Sequence, residues 1–157
     1  MSKSYPFAAL LGGSVAGALD IAFAISFAAY NGMSAPRLLQ VVASGVYGKA
    51  ALSGGVAMAA LGLALHFSMS IVWAAAFVVV VALRPPLSRY PFASGIAFGV
   101  VVFLVMRLVV LPLSAFPFPV TFNPTATILD LMSHTLLFGV PIALAARRAV
   151  APAPTAA

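Results

Sequence analysis

An all-α membrane protein, with four transmembrane helices in a bundle and a short interfacial helix between the first and second spans, is the fold class that this chain of 157 residues predicts. Three observations point there. The chain is 64% hydrophobic and only 6% charged, with a mean hydropathy of +1.16, whereas soluble domains carry about 25% charged residues. Four apolar runs are each long enough for the roughly 20 residues that a helix needs to cross a bilayer. Stretches rich in proline and glycine separate those runs and stop each helix before the next begins.

The first run covers residues 7–30. A cleaved signal peptide, with Lys3 as its basic flank and "AFA" as its cleavage site, is the rival reading, but the run is long and Asp20 interrupts it, so a retained helix is expected. In "NGMSAPRLLQVVASGVYGK" the Ser-Ala-Pro segment is a helix-start signal and Gly48 a stop. Leu38, Leu39, Val42 and Val46 share one face, and the segment at 36–48 is too short to span. It reads as a helix lying in the interface. The second span is expected at 55–83, ended by "RPP", and the third at 91–113, from Pro91 to near Pro112. The linker "PLSAFPFPVTFNPT" is uncharged, and its phenylalanines suggest a loop resting on the membrane surface. The fourth span is expected at 125–146. Residues 1–148 thus form a single domain, and the Pro/Ala tail at 149–157 reads as disordered.

The formal charge is +6. Seven of the eight basic residues lie near the edges of apolar runs, where they anchor helices and set orientation. Lys3, Arg84, Arg89, Arg147 and Arg148 fall on one side of the membrane and Arg37 and Lys49 on the other, which places both termini in the cytoplasm. No basic patch with interleaved aromatics is present, so nucleic acid is not an expected partner. The chain has no cysteine, which removes disulfides, thiolate metal sites and covalent haem attachment. Ser68, Ser70 and Ser133 lack any nucleophile-elbow context, so an enzyme is not the expected reading.

Helices in lipid associate through close packing and polar contacts rather than through the hydrophobic effect. Gly13 and Gly17 form one GxxxG and Gly95 and Gly99 another, while Ala59 and Gly62 give the second span a small face. Packing within the bundle is the plainest use of these residues, and homodimerisation is the alternative.

Five strongly polar side chains fall inside the spans: Asp20, His66, Arg107, Asp130 and His134. A charge facing lipid costs about 2.5–3.5 kcal/mol at a helix centre, so these should face inward and partner one another. Counting residues along each span puts Arg107 and Asp130 at similar depth, with Asp20, His66 and His134 nearer the midplane. Thr127, Asp130, His134 and Pro141 lie on one helical face, so Asp130 can accept a hydrogen bond from His134. An Arg107–Asp130 ion pair, with Asp20 bonded to a histidine, is the structural expectation. A proton or ion pathway is the second. Haem or metal ligation by His66 and His134 is the third, although no HxxxH or ExxH spacing supports it; no cofactor is otherwise expected.

Five stretches, "GGSVAGALDIAFA", "LLQVVASGVYGKAALSGG", "LGLALHFSMSIVWA", "RLVVLPLSAFPF" and "SHTLLFGVPIALAARR", make the chain resemble a family of small four-helix bacterial inner-membrane proteins of uncharacterised function. Gly17, Asp20, His66, Pro112, His134, Gly139 and Pro141 match that pattern. The resemblance implies a bundle in the bacterial inner membrane and brings no activity or substrate with it. The expected function is therefore a structural or accessory membrane protein, surrounded by lipid and partnered by itself or by another membrane protein. The alternatives are a small proton- or ion-coupled transporter acting as an oligomer and a haem- or metal-binding protein. Known symporter folds pack paired repeats around a midplane site, and no repeat is visible here.

Overall fold

The computed structural model describes residues 5–150. The principal helices are α1 (Tyr5–Tyr30), α2 (Ala35–Tyr47), α3 (Gly55–Leu83), α4 (Pro91–Leu113) and α5 (Pro124–Ala149). All but α2 are long and apolar enough to cross a membrane, and no strand occurs among the described residues. The last helical stretch, Val140–Val150, continues past Arg147 and Arg148, and Ala149 is buried there. Lys3, and positions 151–157 of the tail, lie outside the described residues.

Local chemistry accounts for the boundaries. Gly32 adopts φ +79° in the turn that ends α1, a conformation that costs a residue with a Cβ. Ser34 sits in extended geometry ahead of α2, with a proline in the helix's first turn. Pro91 opens α4. Asn123 caps α5, its side-chain oxygen accepting from the Ala126 amide at 3.2 Å, and Pro124 takes a first-turn position where a missing N–H is harmless. The short helix α2 turns Leu38, Leu39 and Val42 inward, while Val46 is left exposed. Its polar side is tied to the start of α3: Arg37 donates to the Leu52 carbonyl at 2.6 Å and Gln40 to that of Gly55 at 2.9 Å.

The long helix α5 is central, packing against α1, α3 and α4, while α1 also packs along α3. Small buried side chains, among them Ala16, Ala74, Ala143 and Ala146, let these helices come close, and Phe77, Phe138 and Ile142 fill the remaining space. Contact is closest where glycines meet. A Cβ on Gly95 would lie 2.8 Å from the Gly139 carbonyl oxygen, and one on Gly99 would run into the His134 carbonyl. On α1, a Cβ at Gly13 would lie 2.7 Å from Cα of Ile71. The Gly62 face meets the Leu39 carbonyl of α2 rather than another long helix. Gly139 is the packing residue that the spacing motifs missed, because its partners Gly95 and Gly99 are on a different helix.

Two helical stretches widen to π geometry, Met106–Val110 in α4 and Ser133–Gly139 in α5. Each ends two residues before a proline, Pro112 or Pro141. A proline inside a helix offers no N–H to the carbonyl four residues back and collides with it, and a widened turn accommodates that conflict. The same turns hold Arg107, Ser133 and His134.

The packing gives a paired test. Replacing Gly99 by Ala should destabilise the protein by about 1–3 kcal/mol, because backbone must move to admit the methyl group. Gly45 lies in α2, where an added Cβ meets only the Ser114 hydroxyl at 4.0 Å. Gly45→Ala should leave stability equal or raise it by about 0.5–1 kcal/mol. Thermal unfolding of both variants in detergent checks the contrast.

Candidate functional site

Four of the five intramembrane polar residues gather around the first half of α5, and the fifth, His66, stands apart. The centre is Asp130. Arg107 Nη1 lies 2.9 Å from its Oδ2, so the ion pair expected from residue depth is present. Arg107 also donates through Nη2 to the Thr121 carbonyl, and its guanidinium sits 4.9 Å from the centroid of the Phe122 ring and 5.7 Å from that of Phe103. One arginine therefore binds α4 to α5 and holds down the linker between them. The planar guanidinium suits this, because its several N–H groups point to different acceptors while its face rests on a ring.

His134 follows Asp130 by one helical turn, so the two side chains share a face. Its Nδ1 lies 2.9 Å from the Asp130 carbonyl oxygen and 3.1 Å from Asp130 Oδ1. Both partners are acceptors, so Nδ1 carries the proton and donates to them. The ring meets Phe103 edgewise, at 5.8 Å between centroids, and a tilted Phe138 at 6.1 Å.

Asp20 approaches from α1. Its partner is Ser133, whose hydroxyl donates to Oδ1 at 2.6 Å; the expected bond from Asp20 to a histidine is absent among the described residues. The reason is register. The π turn of α5 presents Ser133 toward α1 and His134 toward the aromatic rings of α4 and α5. Ser133 lacks the context of a nucleophile and serves as a hydrogen-bond donor, a role that its place between Asp130 and His134 in the sequence signals.

His66 has a different task. Its Nε2 donates to the Gly17 carbonyl at 3.0 Å, and one turn further along α3 the Ser70 hydroxyl donates to the Gly13 carbonyl at 2.6 Å. The two glycines bring the α1 backbone close enough for both bonds, which use second lone pairs on carbonyls already engaged in the helix. His66 and His134 thus both spend a ring N–H on a backbone carbonyl. Among the described residues, no group of three His, Asp or Glu side chains is arranged to hold a metal ion.

Above Ser133 lies a groove of about 350 Å³, bordered by the second half of α1, the start of α2 and the α4–α5 pair. Asp20, Arg107, Asp130 and Ser133 supply its polar groups, and Phe23 and Phe27 line the α1 side. Nearby, Arg107 Nε and the Thr127 hydroxyl are buried without a hydrogen-bond partner among the described residues.

The ion pair can be tested by a double-mutant cycle. Arg107→Met strands the Asp130 carboxylate and should destabilise by roughly 2–3 kcal/mol, somewhat below the 3–5 of a fully buried pair, since a third of the Asp130 side chain is exposed. Adding Asp130→Leu should recover part of that loss, because the second change removes the unpaired charge. Unfolding measurements on the two single variants and the double variant decide it. Compared with protein-family models, with curated proteins and with solved structures, the chain matches none.

Proposed function

We propose that this chain is a structural or accessory protein of the bacterial inner membrane, a four-helix bundle with both termini in the cytoplasm and α2 lying in the outer interface. The observation that carries this reading is that each of the five strongly polar side chains within the spans makes at least one bond inside the protein. Asp20 is bonded to Ser133, His66 to the Gly17 carbonyl, and both Arg107 and His134 to Asp130. Interhelical polar bonds and small-residue contacts are what hold helices together where solvent offers no hydrophobic drive. The orientation rests on the five basic residues on one side against two on the other.

A second reading, proton- or ion-coupled transport by an oligomer, is favoured by the groove, which brings a carboxylate to the middle of α1. The two readings diverge in one experiment. Under the accessory role, Asp20→Asn and His134→Gln should lower the melting temperature in detergent or release a protein that co-purifies with the native chain, and liposomes should show no proton flux before or after substitution. Flux through the unsubstituted protein that disappears in Asp20→Asn would transfer the case to transport.

The topology has its own test, helped by the absence of native cysteine. Single cysteines at Ser88, in the α3–α4 turn, and at Asn123, before α5, should behave oppositely toward a membrane-impermeant thiol reagent in intact cells. Asn123→Cys should react and Ser88→Cys should react only after permeabilisation; the reverse result inverts the orientation.

A further inference from the structure

Both acidic residues of the whole chain, Asp20 and Asp130, line the same groove. Their situations differ. Asp130 is neutralised by Arg107 at 2.9 Å, whereas Asp20 has one hydrogen bond, from Ser133 to Oδ1, and no cation within ion-pairing distance among the described residues. Arg107 and Asp130 offset each other, so Asp20 is the carboxylate at the groove beyond that pair, in a protein whose formal total is +6.

We propose that the groove is a binding site for a small organic ammonium ion, with Asp20 as its counter-ion. Three features select that chemistry. The carboxylate Oδ2 of Asp20 is left to accept an N–H from a ligand. The walls beside it are apolar and aromatic: Phe23 and Phe27 stack in parallel, 6.3 Å between centroids, with Ala24, Met33 and Leu38 completing them. A carboxylate with aromatic rings nearby is suited to a cation that carries carbon. The volume of about 350 Å³ falls in the range of small-molecule pockets and far exceeds what a proton requires. A hard metal cation favours several oxygen ligands gathered together, and among the described residues no group of three acidic or histidine side chains is arranged to hold one. An anion would have to take Arg107 from Asp130.

The site also lies at a depth that makes the counter-ion matter. Asp20 is ten residues before the end of α1, about 15 Å along the helix axis, and away from bulk water a paired charge is worth more than in it. The ammonium could be that of a free amine or the ethanolamine head of a phospholipid, since the recognition chemistry is shared.

The test uses the full chain in nanodiscs of phosphatidylglycerol and phenethylammonium as the probe, titrated calorimetrically. Saturable binding is expected, with phenethyl alcohol, the uncharged analogue, at least tenfold weaker. Asp20→Asn should weaken the amine at least tenfold. Because that change also disturbs the bond from Ser133, Ala24→Phe serves as a second variant; it fills the groove, leaves Asp20 and Ser133 in place and should likewise abolish binding. Repeating the titration with phosphatidylethanolamine present separates the sources. Competition assigns the site to a lipid head and an unchanged isotherm assigns it to a free amine, either result supporting an ammonium site. Absence of saturable binding by the native chain, equal affinity for the alcohol, or undiminished binding in folded Asp20→Asn or Ala24→Phe overturns the proposal.

Discussion

Where α4 crosses α5, Gly95 and Gly99 meet Gly139 and the carbonyl of His134, with no side chain between the two backbones. The rest of the polar site depends on that contact. Two turns beyond Gly99, Arg107 reaches Asp130 at 2.9 Å only because the helices are already close. A methyl group at the crossing would separate them by an amount comparable to the tolerance of a charge-assisted hydrogen bond. The glycines therefore do more than permit packing; they set the distance over which the ion pair is made.

The prolines act on the same region through the backbone. Pro112 and Pro141 each follow a widened turn, and those turns carry the arginine, the serine and the histidine of the site. In a regular α-helix, Ser133 and His134 would stand 100° apart, as any neighbours do. The wide turn alters where each points and leaves Ser133 facing α1 while His134 faces Phe103. Helix-breaking residues inside an apolar helix are tolerated where nearby groups satisfy the backbone they release. Here they also aim the side chains that join α1 to α5.

The polar bonds divide into two systems. On the α1–α3 side, His66 and Ser70 cap the carbonyls of Gly17 and Gly13, a zipper between two helices that involves no formal charge. On the α4–α5 side, charges are used and the linker is recruited, through Thr121 and Phe122, to cover the arginine. Among the described residues, Asp20 is the polar link from the first side to the second, by its bond from Ser133. It is also the acid that makes no ion pair among the described residues, and it lines the groove.

Much of this was legible in the residues themselves. Apolar run length and the prolines and glycines between runs determined which segments form long helices, since a helix that satisfies its own backbone is dictated locally. Depth counting along those runs was enough to pair Arg107 with Asp130, because both lie a fixed number of 1.5 Å steps from a helix end, and the four-residue spacing placed His134 on Asp130. The partners that cross between helices without such a count were not legible: Ser133 for Asp20, the Gly17 carbonyl for His66, and Gly139 for Gly95. Rotation of each helix about its axis chooses these, and only packing against the neighbours sets that rotation. The sequence alone thus determined which helices exist and how deep each polar group lies. The tertiary structure alone decided which way each group faces, and so separated His66 from the cluster and left Asp20 open to the groove.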